Sequence, residues 1–144
     1  MPKKIAKIDF EELEDFQEKV AKINDEQVDA FFKSTTNMLA LRFYARAVKG
    51  TPVGKYPKKS GKKGGTLRRG WKLSSNVHHK FMTYEVNVTN LVKYASYVES
   101  GHRTRGGTDW VEGQFYQKKA EERTLKEAPK IINEQLDVLL KGIK

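Results

Sequence analysis

At 144 residues, 38% hydrophobic and 32% charged, the chain has the size of one domain with a modest core, and its net charge of +10 asks for acidic partners, nucleic acid or protein. No apolar run approaches the roughly 20 residues that cross a bilayer, and the opening Met-Pro-Lys-Lys lacks the apolar core of a secretory signal, so a soluble, intracellular product without membrane contact is expected. The absence of cysteine excludes a disulfide, a thiolate nucleophile and a cysteine-type zinc site.

Leu13, Phe16, Val20 and Ile23 recur at helical spacing among charged residues, which predicts an amphipathic first helix of about four turns. Asn24 and Asp25 interrupt it, and Asp25 can cap a second helix. In that helix Val28, Phe32, Thr35, Leu39, Arg42 and Arg46 form one face, flanked by Phe31, Met38 and Phe43. Gly50, Pro52, Gly54 and Pro57 then stop it, so residues 1–49 form a helical N-terminal part.

From Phe31 to Tyr84 there is no acidic residue but there are thirteen Lys and Arg, most of them between Lys49 and Lys72. A Gly/Pro-rich segment with such charge repels itself and has little to bury, which predicts a flexible basic loop over residues 50–65 that something acidic neutralises. Eight carboxylates precede Gln27 and another run extends from Asp109 to Asp137, a segregation that favours contact between copies or with unlike neighbours.

Beyond the loop the period changes to two. Leu67, Trp71 and Leu73 share one face, a turn falls near Ser74 to His79, and Met82, Tyr84, Val86 and Val88 share a face of a second strand, an antiparallel hairpin. Asn90 can cap a short helix with Leu91, Tyr94, Tyr97 and Val98 on one side and Gly101 as terminator; a third strand over Val92 to Ala95 fits almost as well. Residues 66–100 thus hold sheet and short helix, 101–109 a glycine-rich loop, and 110–144 a C-terminal helix striped by Leu125, Ala128, Ile132, Leu136, Leu139 and Ile143, with Pro129 expected to kink it. The predicted fold is α+β, one domain over 1–144, with a small antiparallel sheet packed against long N- and C-terminal helices.

Catalytic chemistry finds little support. His78 and His79 point to opposite faces of a strand and His102 stands alone, so no metal site is expected and solvated histidines are the plain reading. Gly61 to Thr66 superficially resembles a phosphate-binding loop, but the residue order is wrong and a strand follows where a helix is required. Asp109 and Glu112 read more simply as residues capping or opening a helix than as a catalytic pair. No cofactor is expected. Nucleic-acid binding carries more weight, since nine basic residues between Lys49 and Lys72 with Tyr56 and Trp71 interleaved could neutralise phosphates and stack a base. The competing reading places Trp71 in the core, because Leu67 and Leu73 share its parity, and leaves the lysines solvated. Glu99 follows the apolar pair Tyr97-Val98 and precedes a glycine, so it either lies at the edge of the core, paired with Arg42, Arg46, Arg68 or His102, or is an ordinary exposed glutamate.

Four motifs occur in order: Thr51-Pro52-Val53-Gly54; Gly64-Gly65-Thr66-Leu67-Arg68-Arg69-Gly70-Trp71; Tyr94-Ala95-Ser96-Tyr97-Val98-Glu99-Ser100-Gly101-His102; and Trp110-Val111-Glu112-Gly113-Gln114-Phe115. From Ala45 to Pro129 the chain resembles the tail-completion, or head-to-tail joining, family of minor structural proteins of long-tailed bacteriophages and prophages. The resemblance implies a non-enzymatic virion part at the head-tail interface, made in the host cytoplasm. It also implies binding to the tail-tube or tail-terminator protein and to head connector proteins, a hexameric ring in the particle and a monomer when free, with a contact to packaged DNA left open. Relatives commonly join Thr-Pro-Val to Thr-Leu-Arg by a short turn, whereas this chain inserts the basic run Lys55 to Lys63. The expected partner-binding residues are Lys55, Lys58, Lys59, Lys62, Lys63, Arg68 and Arg69, with His102, Arg103 and Arg105 on the second loop. Among the motif residues, Gly65 would permit the tight turn into the first strand, Tyr94 and Tyr97 would lean on the sheet, and Gly101 would end the short helix.

Overall fold

The capping chemistry of the long helix resides in Asn24 rather than Asp25. In the computed structural model, which describes residues 18, 20–81 and 83–142, the Asn24 side chain accepts the Gln27 N–H (2.9 Å) and the Gln27 side chain accepts the Asn24 N–H (3.0 Å). This reciprocal box opens α1, Asp25–Gly50, and Asp25 and Glu26 sit in its first turn, where the helix dipole favours acids. Leu13, Phe16, Met82 and Ile143 lie outside the described residues; Val20 is helical and exposed.

The C-terminal helix, α4, begins at Tyr116 and runs to Lys141 through Pro129, whereas Trp110–Glu112 form a strand. It packs antiparallel on α1: Gly50 lies beside Tyr116, Arg46 meets Thr124 and Glu127, and the Ser34 hydroxyl donates to Gln135 (2.9 Å). The buried positions of α4 are Tyr116, Ala120, Thr124 and Ile131, those of α1 Thr35 and Ala47. Small side chains let two helices approach closely, so on α4 the contact settles about a quarter turn away from the predicted stripe, while on α1 it keeps Thr35 of the predicted face. Leu125, Ile132 and Leu136 are consequently exposed, and so is Phe32 on α1.

Between the helices the chain forms three two-stranded antiparallel ladders, not one sheet, so the α+β class holds with a smaller β part. Thr66–Arg69 is one helical turn, α2, rather than strand; Gly65 (φ 97°) turns the chain into it, and Leu67 is buried. Strand β1, Trp71–Leu73, pairs with β4, Val88–Asn90; β2, His78–Lys80, pairs with β3, Thr83–Glu85. These two ladders are one bent hairpin whose tip is Phe81, not Ser74 to His79. The Ser74 N–H donates to the Asn87 carbonyl (2.8 Å) and the Asn87 N–H to the Ser74 hydroxyl (3.1 Å), which carries the pairing past the interruption. The segment after Asn90 turns instead of forming a third strand, because the Asn90 side chain accepts the Val92 N–H (3.0 Å) and donates to the Leu67 carbonyl (2.8 Å). Helix α3, Ala95–Ser100, follows, and then a hairpin of β5, Gly101–Arg103, with β6, Trp110–Glu112, where a loop was expected.

Trp71 belongs to the core. It is 4% exposed and meets Phe43 and Tyr116 edge to face, and its indole N–H donates to the buried Thr51 hydroxyl (2.7 Å). Leu67, Ala47 and Ala120 complete the cluster, with Val88, Val92, Ala95 and Val98 packed around it.

Candidate docking surface

The basic insertion leaves the core at Pro52 and returns at Gly64. A Cβ on Gly64 would collide with the Gly54 carbonyl, so the absence of a side chain there is what closes the loop's base. Lys58–Ser60 form a single 3-10 turn, stopped by Gly61 in the left-handed region (φ 66°). Lys55, Lys58, Lys59, Lys62 and Lys63 are all exposed, and none of them forms an ion pair among the described residues. Beneath the loop, Val53, Tyr56, Lys63, Gly65, Tyr94 and Gln114 line a cleft of about 260 Å³.

Arg68 and Arg69 were expected on the same partner surface, and both are engaged internally. The Arg68 guanidinium donates to the carbonyls of Thr51 (2.8 Å) and Lys49 (3.2 Å), satisfying acceptors that the end of α1 leaves open; Arg69 donates to the Gly64 carbonyl (3.3 Å). The two arginines therefore fasten the loop's ends, and the five lysines remain free to meet a partner.

The second loop is the turn of the β5–β6 hairpin. His102 is half-buried beside Tyr97, Arg103 donates to the Gly107 carbonyl (3.4 Å), and Arg105 is exposed at the turn. Tyr94 and Tyr97 do not lean on the sheet: Ala95 and Val98 take the inward positions of α3, leaving the tyrosines exposed. Trp110, Val111 and Phe115 are exposed as well. The close passage of β6 over α3 requires Gly101 (φ 90°) and Gly113, whose Cβ atoms would strike the backbone of Val111 and Glu99.

Glu99 has no cationic partner among the described residues; it binds a helix end. Its carboxylate accepts the N–H groups of Gln117 (2.8 Å) and Lys118 (3.0 Å), capping α4 across space, since Phe115 at the cap position is left-handed (φ 48°) and offers no acceptor. Burial, and secondarily the Glu99 charge, pushes the Tyr116 hydroxyl up, and that hydroxyl donates to the Ala95 carbonyl (3.1 Å). Arg46 and Arg42 pair instead with Glu127 on α4, where the Arg46 hydrogen bond holds the carboxyl below its ordinary range. Asp109 lies in the β5–β6 turn, and its N–H donates to the Thr104 hydroxyl (3.1 Å), so it caps no helix.

One cluster had no sequence signal, because its members are separated by about fifty residues. Asp29 receives Lys33 (2.8 Å), the Tyr84 hydroxyl (2.9 Å) and His79 (3.2 Å), and Lys33 and then Tyr84 hold it below the ordinary carboxylate range. His79 stacks on Tyr84, which stacks on Phe32. This stack ties the hairpin tip to α1, so His79, though exposed, has a structural contact. Among the described residues no group of His, Asp and Glu could hold a metal, and no helix is long and apolar enough to cross a membrane.

The family model named HK97-gp10-like and described as "Bacteriophage HK97-gp10, putative tail-component" matches residues 14–101, from the segment preceding α1 through α3. The match takes in α1, and the Trp110 to Phe115 motif lies beyond it. No curated protein and no solved structure matches the chain.

Proposed function

The chain belongs to the HK97-gp10-like family of bacteriophage tail components, and from that premise we propose that it is a non-enzymatic joining part of the virion, mating the tail to the head connector by protein contacts. It is made as a monomer in the host cytoplasm and forms a ring, in the manner of a hexamer, on the tail-tube or tail-terminator protein. The observation that carries this reading is the loop with five exposed, unpaired lysines, anchored at its base by Arg68 and Gly64. A cationic loop fixed at its base gives orientation and rate to association with an acidic neighbour, and the contact weakens as salt screens it.

Reversing Lys58, Lys59, Lys62 and Lys63 to Glu leaves the fold intact, since exposed loop positions contribute little to stability. The variant is expected to fail in a complementation assay for tail completion, measured as infectious particles formed. Normal joining by a folded variant would overturn the reading. Nucleic acid is the second candidate for the loop, favoured by Tyr56, which is half exposed with Lys62 over its ring at 5.9 Å. It predicts DNA binding that falls steeply with salt and disappears in the same variant while joining persists.

A further inference from the structure

An apolar trough lies between α1, the outer hairpin and α4, at a distance in the chain from both basic loops. Leu39 and Phe43 form one wall, Val86 and Val88 another, and Leu125 a third, around a space of about 540 Å³. The trough is open because α4 meets α1 through small side chains, which turns Leu125 outward until it is 63% exposed. Glu85 and Glu121 border it, both exposed and neither in an ion pair among the described residues. Open apolar surface rimmed by charge is the character of a docking site.

The occupant that fits has apolar side chains beside cations, and this chain carries them. Val53 and Tyr56 are both exposed and stand beside Lys55, Lys58 and Lys59. We propose that the basic loop of one copy seats in the trough of the next, Val53 and Tyr56 against Leu125 and Phe43, with the lysines on Glu85 and Glu121. This deepens the joining reading and rests on it. The loop and the trough share no residue: Val53 and Tyr56 line a separate cleft with Tyr94, Val98 and Gln114. A contact between two unlike surfaces of identical chains repeats from copy to copy and closes into a ring when the rotation permits, as a self-paired surface would not.

The full chain has no cysteine, so a variant carrying Tyr56→Cys and Leu125→Cys reports this contact alone. Oxidation of the protein assembled on tails is expected to give a ladder of disulfide-linked oligomers. Charge exchange supplies the second arm: Lys58→Glu with Lys59→Glu, or Glu85→Lys with Glu121→Lys, should each lower tail completion by about tenfold or more, and one chain carrying all four changes should recover it. Recovery and the ladder support the proposal. Loss with the loop reversal but not the rim reversal, and no ladder, would overturn it and leave the joining reading intact, the loop then docking on another protein. If the loop reversal is harmless, both readings fall. Should the rim variant not fold, as judged by circular dichroism, the ladder decides.

Discussion

At the residue scale, the carboxylate of Glu99 satisfies two backbone donors of α4 from a different helix, and so couples the Tyr97-Val98-Glu99 motif to the position of the C-terminal helix. A cap that joins two elements is lost twice over, as helix end and as tertiary contact. Glu99→Ala is expected to cost about 0.5 to 2 kcal/mol in urea denaturation, the range of lost N-cap residues, with Glu99→Gln milder because a neutral acceptor remains. An alanine variant as stable as the parent would mean that water replaces the carboxylate at no cost. Trp71 is the other decisive residue, since its donation to Thr51 and its burial remove it from any nucleic-acid contact.

At the element scale, α1 and α4 are joined by small residues at the contact and by ion pairs beside it. Glu127 and Asp29 both titrate below their ordinary values in the folded state, Glu127 chiefly through Arg46 and Asp29 chiefly through Lys33. A depressed carboxyl contributes stability that is complete above its unfolded value and is lost as the pH falls through the folded one. The thermal midpoint should therefore hold near neutrality and drop as the pH goes below about 4.5. In Glu127→Gln that drop should be shallower, because the Arg46 pair no longer titrates. Parallel curves of midpoint against pH for parent and variant would remove Glu127 from the account. Added salt should weaken the effect, since both carboxylates are partly solvated.

At the scale of the whole molecule, sixteen large apolar residues are exposed among the described residues while six apolar residues are buried, two of them alanines. So small an interior is consistent with a part that finishes burying its surface on assembly. In the free protein, limited trypsin digestion should cut between Lys55 and Lys63 before any site within α1, α4 or the hairpins, because the loop has no apolar residue beyond Tyr56 and no ion pair to retain it. In assembled particles the same bonds should be protected. Earlier cleavage inside the helices than in the loop, read by mass spectrometry, would refute the assignment of the loop as the least stable segment.

Periodicity along the chain was enough to identify α1, the C-terminal helix and an antiparallel hairpin, because hydrophobic spacing of 3.6 or 2 residues survives whatever a segment packs against, but it left Trp71 between core and stacking surface. The basic loop was equally legible, since charge without apolar residues has no buried alternative. Tertiary structure alone decided which face of the C-terminal helix is inside. Ala120 and Thr124, too small to mark a stripe, allow the close approach that leaves Leu125 and Ile132 in solvent. It also decided the β5–β6 hairpin, whose three-residue strands are shorter than any period can register, and the partner of Glu99, a helix end eighteen residues away. A backbone N–H is present at every residue but proline, so only the packing that leaves two of them open beside Glu99 can single them out.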